Sequence, residues 1–272
     1  RFDFILAKDG TPKILEFNAD TPTSLLEASV IQWQWKEDVF PECDQFNGIH
    51  EGLVQSWKDI FPKKGEIHFA GALENNEDTG TLQYLASTAM EAGFSTRVLD
   101  MQALDLQNGR FFDPAGELVN RCFKLYPWEW MVDESPDGCL AEMEWLEPIW
   151  KLVMSNKAIL ATLYELFPDS PYVLPCYLSR PRSGLFCKKP IFSREGHNVS
   201  VVDIRDWEEY VRIAETEGDY NTGAYVYQEY VEPTAYSGRY PVIGSWIIGG
   251  EAAGIGIREN RMEVTDNLSE FV

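Results

Sequence analysis

The sequence predicts a mixed fold, α/β through its middle and α+β towards its end. Three observations carry this. Strand-like and helix-like runs alternate between residues 66 and 126, the runs after residue 172 are almost all strand-like, and the first residues read as a tight hairpin. Residues 2–7 (FDFILA) and 13–19 (KILEFNA) flank Lys8-Asp9-Gly10-Thr11, and Asp-Gly between two strand-like runs signals a two-residue turn. Helices are expected at 24–35 and at 50–61. The second carries Leu53, Val54, Trp57, Ile60 and Phe61 on one apolar face.

A strand at 66–73, a helix at 78–92 stopped by Gly93, and strands at 96–100 and 121–126 suggest a parallel β-α-β crossover. Its first strand leads into no glycine-rich fingerprint, so it is not a dinucleotide site. Helices are then expected at 139–150 and, capped by Ser155-Asn156, at 157–167. Strands follow at 172–178, 184–191, 199–203 and 224–231, then a hairpin across Gly249-Gly250, with one helix at 206–216. Three segments result: 1–65, 66–150 and 151–272.

At 272 residues and ~150 residues per domain, one large or two modest domains are expected. An aromatic content of 13%, with nine Trp, excludes long disorder as a description of the whole. The net charge of −21 repels phosphate backbones and anionic lipid, which argues against a nucleic-acid or membrane-surface protein. Any cations that bind an anion must therefore be placed locally, against the global field. Five scattered cysteines without a C-x-x-C pair suit reduced thiols in a cytosol. No apolar run reaches the ~20 residues of a membrane helix. The chain opens at Arg1, inside a strand-like run and without a Met, as a fragment of a longer protein would.

With a two-residue turn, position i of the first hairpin pairs with 19 − i, so Asp3 lies opposite Glu16 and Arg1 opposite Asn18, all on one face. Two carboxylates within ~5 Å repel and call for a cation. Together with an amide oxygen they form a hard, all-oxygen set that suits Mg²⁺. The same residues also read as a solvated polar face screened by water. On the first reading Asp3→Asn costs little stability. The stretch from Lys188 to Val199 runs from a strand through a glycine-containing loop, where backbone N–H groups can cradle phosphate; an exposed basic hairpin is the alternative. Residues 225–233, ended by Pro233, read as an edge strand whose free backbone groups could pair with an adenine ring. His50, His68 and His197 suggest no metal cluster.

Arg1-Phe2-Asp3, then residues 15–23 (LEFNADTPT), Ser155-Asn156-Lys157, residues 189–196 (KPIFSREG) and Tyr227-Gln228-Glu229 together resemble the synthetase domain of glutathionylspermidine synthase and its bacterial relatives. The resemblance spans nearly the whole chain. It implies an ATP-grasp fold with a preATP-grasp-like β-α-β subdomain. It also implies a cytoplasmic, ADP-forming ligase that joins a small-molecule or peptide carboxylate to an amine through an acyl phosphate. By the same resemblance Asp3, Glu16 and Asn18 are Mg²⁺ ligands, with two ions expected. Arg1 and Arg258 are catalytic arginines, and Lys157 and Lys189 sit on the ATP phosphates. Gly196 lies in a phosphate-covering loop within a lid of about 172–221, and Gln228, Glu229, Tyr230 and Val231 form the adenine hinge. Strand alternation and the match before Pro190 favour Lys189 over Lys188. Where the spermidine-conjugating enzymes carry small residues with a cysteine near bound glutathione, Thr21-Pro22-Thr23-Ser24 stands here. Thr21, Thr23 and Ser24 are thus the substrate-side candidates, and the resemblance gives the reaction class without the acid or the amine. A small-molecule kinase and a non-catalytic nucleotide-binding module are the alternatives.

Overall fold

Asp9-Gly10 turns the chain, but within a three-residue loop. In the computed structural model, which describes residues 1–194, 196–206, 209–218, 220, 223–261 and 269–272, the Ala7 N–H donates to Thr11 O (3.0 Å) and the Gly10 N–H to Ala7 O (2.8 Å). Gly10 takes φ +82°, the left-handed residue that such a loop requires. Strand β1 (Phe2–Leu6) therefore leaves the turn paired one residue out of the expected register with β2 (Pro12–Phe17), Leu6 opposite Pro12 and Phe4 opposite Ile14. A bulge at Leu15 then adds a residue to β2 and restores Asp3 to Glu16 and Phe2 to Phe17. The two departures cancel. Phe2 and Phe17 stack 3.9 Å apart on the other face, with their ring planes 2° from parallel.

The chain forms two compact units. One comprises 1–17, 153–245 and 257–272; the other comprises 18–152 and 246–256. Following the chain into the latter, a wide π turn (Glu27–Ile31) leads into α1 (Gln32–Val39), and α2 (Ile49–Ile60) follows. Strand β3 (Glu66–Gly71), α3 (Asn76–Glu91) and β4 (Ser95–Asp100) make the expected parallel crossover, with Asn75 capping α3 by accepting the Glu77 N–H. A three-stranded ribbon, β5 (Asp105–Gln107), β6 (Arg110–Phe112) and β7 (Leu118–Val119), precedes β8 (Arg121–Leu125). After α4 (Trp128–Glu134) and α5 (Pro136–Cys139), residues expected to be helical form β9 (Glu144–Leu146), parallel to β8. Strand wins there because Trp145 packs edge-on against Phe111 and Trp128, an anchor outside the local periodicity. The parallel sheet runs β4-β3-β8-β9. One face packs a core of Val54, Trp57, Phe69, Leu82 and Phe123, in which the Trp57 indole donates to Thr88 Oγ1 (2.8 Å).

After α6 (Lys151–Ser155), the Asn156 side chain accepts the Ala158 N–H, but α7 spans only Ile159–Leu166, with Ala158 rather than the expected Ser155-Asn156 at its N-cap. The five-stranded sheet that follows runs β10-β14-β11-β12-β13, formed by β10 (Cys176–Tyr177), β11 (Gly184–Pro190), β12 (Ser200–Ile204), β13 (Tyr210–Glu215) and β14 (Tyr225–Glu229). Pro171 and Pro175 remove backbone donors and confine β10 to two residues. The helix expected at 206–216 is instead β13, antiparallel to β12; Tyr210, Val211 and Ile213 favour a strand, and pairing satisfies the β12 edge. Trp207 and Glu208 lie outside the described residues. β14 lies between β10 and β11, so it is not the edge strand expected. The hairpin β15 (Tyr240–Ile248) and β16 (Glu251–Asn260), with β17 (Glu270–Phe271), joins β1 and β2 in a second five-stranded sheet, order β17-β16-β15-β1-β2. No helix among the described residues is long and apolar enough to cross a membrane.

His68, on β3, is 2% exposed, and its Nε2 lies 3.7 Å from Glu66 and 3.8 Å from Asp113, too far for a hydrogen bond. Burial holds its pKa below the ordinary 6.5, outweighing the two carboxylates. The unfolded chain then takes up the proton first, so the contribution is whole above pH 6.5 and is lost as pH falls through the lowered folded value. Asp113 is itself held below the ordinary 3.8, chiefly by the Glu117 N–H, and acts only in a lower window. Urea unfolding midpoints should fall from pH 6.5 towards pH 5, and His68→Gln should flatten that slope; an unchanged slope would place the effect elsewhere.

Candidate nucleotide and metal site

Seven of the expected site residues come together in the unit that contains β1. Arg1 and Asp3 alternate onto the same side of β1, and Arg1 grips the Asp3 carboxylate with Nε (2.7 Å) and Nη2 (2.9 Å). Arg258, from β16, donates to the same carboxylate (3.0 Å). Across from Asp3, on β15, stands Gly244. On the other side stands Glu16, whose carboxylate lies 3.2 Å from the Lys157 ammonium. Lys157 is anchored by its N–H on Ile191 O (2.9 Å), and its Nζ donates to Ser193 O (2.6 Å), at the start of the glycine loop.

The bulge in β2 does more than restore register. Leu15 O accepts from Lys189 Nζ (3.1 Å), and Ile14 O accepts from Gln228 Nε2 (2.8 Å). Gln228 Oε1 in turn accepts from Lys189 (2.7 Å). Because the ammonium can only donate, the Gln228 amide has one orientation. Lys189 and Gln228 are both buried, so β11 and β14 are pinned to β2 by polar side chains. Lys188 points to the opposite face, 3.8 Å over the Tyr225 ring.

Around β1 and β2, then, gather four cations and two carboxylates: Arg1 and Arg258 contact Asp3, Lys157 contacts Glu16, and Lys189 bonds to Gln228 and the β2 backbone. The local excess is positive in a chain of charge −21. Each acid has a cation against it, so the repulsion that the sequence placed between them is answered by side chains. Among the described residues no group of three or more His, Cys, Asp or Glu gathers in a geometry that could hold a metal ion. Asp3 and Glu16 supply hard carboxylate oxygens across one strand pair, a donor chemistry that suits Mg²⁺.

Gly196 takes φ +71°, and its carbonyl accepts from the Thr216 hydroxyl, which also receives the Val199 N–H. Asn198 ties the same loop to Gly218 O and the Tyr220 N–H, each at 2.8 Å. Glu195 lies outside the described residues. Of the expected hinge, Gln228 is spent inside the fold, while the Glu229 and Tyr230 N–H groups donate to Pro175 O and Leu185 O. Two of the backbone donors expected to be free are therefore taken up by the sheet; Val231 lies just beyond β14.

Asn18, Thr21, Thr23 and Ser24 belong to the other unit. Thr21 and Ser24 are buried, Thr23 is half-buried, and Ser24 takes φ +65°, rare for a non-glycine residue, while its carbonyl accepts the Ala28 N–H. Between them Asp20, fully buried, pairs with the fully buried Lys124 (2.5 Å) and accepts the Trp128 N–H (2.8 Å). Burial pushes the Asp20 carboxyl up, against the pull of Lys124. This pair was not singled out from the sequence. Its one local trace is a lone lysine on the apolar strand 122–126 (CFKLY).

The glutathionylspermidine synthase preATP-grasp family matches residues 1–272. A Haemophilus influenzae protein assigned as an acid–amine ligase is 38% identical over the whole of this chain and 72% of its own length. The trypanothione synthetase of Crithidia fasciculata is 28% identical and the bifunctional glutathionylspermidine synthetase/amidase of Escherichia coli 26%; the chain spans 46% and 48% of their lengths. The apo structure of a glutathione synthetase-like effector from Globodera pallida superposes with a TM-score of 0.61 at 10% identity, covering 99% of this chain and 74% of that one. On the match along its whole length, this chain belongs to the glutathionylspermidine synthase family.

Proposed function

We propose that this chain carries the ATP-grasp machinery of an ADP-forming carboxylate–amine ligase that acts through an acyl phosphate. The observation that carries the reading is the excess of four cations over two acids around β1 and β2, assembled against a charge of −21. Such an excess suits a polyphosphate, and phosphoryl transfer is mostly positioning and neutralisation of developing charge. Lys157 and Lys189 would hold the nucleotide phosphates, with the Gly196 loop covering them within a lid of about 172–221. Arg1 and Arg258 would neutralise the phosphoryl group as it passes to the acid, and the segment Gln228–Val231 would receive the adenine.

Asp3 and Glu16, with Asn18, would hold Mg²⁺, which supplies charge neutralisation on the phosphate oxygens when bound. In the reaction the acid's carboxylate oxygen forms a bond to the terminal phosphorus as ADP leaves. The neutral amine then attacks the acyl carbon, phosphate departs and the nitrogen gives up a proton. Thr21, Thr23 and Ser24 are the residues proposed to meet the acid. The acid and the amine are small molecules or a peptide, and the five free thiols suit a cytoplasmic protein.

ADP release measured over a panel of acids and amines tests this. A ligase releases ADP only with both substrates, a kinase releases it without the amine, and a pure binder releases none. Lys189→Ala should weaken ATP binding at least tenfold by fluorescence titration, and Lys188→Ala less than twofold; equal losses would mean that the buried face is not the nucleotide face. Asp3→Asn should abolish Mg²⁺-dependent turnover. It should also destabilise the fold by about 3 kcal/mol, because it leaves two guanidinium groups around a neutral amide. That corrects the small cost expected from the sequence, which left out Arg1 and Arg258 as partners. Unfolding midpoints unchanged from wild type would contradict it.

A further inference from the structure

We propose that the buried Asp20–Lys124 pair is a positioning device that aims the substrate-side segment Asn18–Ser24 by fixing its direction against the β8–α4 connection. The inference rests on the ligase reading for the use of that segment, but not for the geometry. Both Asp20 oxygens are committed, one to Lys124 Nζ (2.5 Å) and one to the Trp128 N–H (2.8 Å). Lys124 is fixed from two further directions, donating to Tyr126 O (2.9 Å) and lying 4.4 Å over the Trp128 ring. Neither side chain reaches solvent. A fully buried ion pair adds little net stability over a well-packed apolar pair of the same size, because desolvation offsets the attraction. What it adds is direction: a rotation of residue 20 breaks two charge-assisted bonds at once.

The segment it holds needs that control. Asn18 stands two residues before Asp20, Thr21 follows directly, and Ser24 is held at φ +65°, a conformation that persists only when its surroundings enforce it. Two partners of the Asp20 carboxylate lie 104 and 108 residues further along the chain. Asp20 and Lys124 are therefore positioning residues, acting through the Thr21–Ser24 segment rather than on the reacting atoms.

The test uses the full-length protein carrying Asp20→Leu with Lys124→Met, which removes both charges and leaves an apolar pair of similar size. It should fold and its ATP affinity should match wild type, with a thermal midpoint lowered by the Trp128 N–H that loses its carboxylate acceptor. Amide hydrogen exchange at residues 18–26 should accelerate at least tenfold. With glutathione and spermidine as the probe pair, the KM for the acid should rise at least tenfold, with a smaller change in kcat. Wild-type exchange in the folded double variant would overturn the proposal. Should that variant not fold, Asp20→Asn, which keeps an acceptor for the Trp128 N–H, carries the same comparison. Wild-type protein that releases no ADP with any acid and amine would count against the ligase reading instead, and the exchange result would still decide the positioning role.

Discussion

Two acids set across from each other on neighbouring strands repel, and the structure around the first hairpin is arranged to answer that repulsion. Asp3 is neutralised from two sides by Arg1 and Arg258, and Glu16 by Lys157. Those three cations arrive from the chain's first residue, from its last long strand and from the residues just before α7. The acid pair thus collects distant parts of the sequence. Once collected, the cations exceed the acids, a local excess of positive charge in a chain of net charge −21.

The bulge at Leu15 is the backbone feature that makes this possible. It brings Asp3 level with Glu16 after a three-residue turn would have offset them, and it presents two β2 carbonyls to Gln228 and Lys189. Bulges commonly re-aim side chains next to functional sites. Here one extra residue sets the register of the acids and anchors the sheet that carries the second lysine. The other unit solves a similar problem without a bulge: its Asp20 carboxylate spans from the Asn18–Ser24 segment to Lys124 and Trp128, bridging elements that the chain keeps far apart.

Much of this was legible in the residues. The crossover 66–100 follows from periodicity and a glycine stop, and the choice of Lys189 over Lys188 from strand alternation together with the family resemblance before Pro190. The pairing of Asp3 with Glu16 was reached correctly through a turn one residue too short, rescued by a bulge that no residue type announces. What could not be read depends on tertiary partners. β9 forms because Trp145 finds Phe111 and Trp128, and β13 because β12 has an edge to satisfy. β14 lies inside its sheet because two residues, Cys176 and Tyr177, cover it. The ion pair of Asp20 joins residues more than a hundred apart, and a lone lysine on an apolar strand does not say which acid it meets.

The central claim is that Asp3 and Glu16 exchange their cation partners for a divalent ion only when a nucleotide draws those cations away. Mn²⁺ binding followed by electron paramagnetic resonance, with and without ATP, tests it most directly in wild type and in Glu16→Gln. The account predicts weak Mn²⁺ binding alone, binding at least tenfold tighter with ATP, and loss of that coupling in Glu16→Gln. Tight Mn²⁺ binding without nucleotide, or ATP coupling that survives Glu16→Gln, would contradict it.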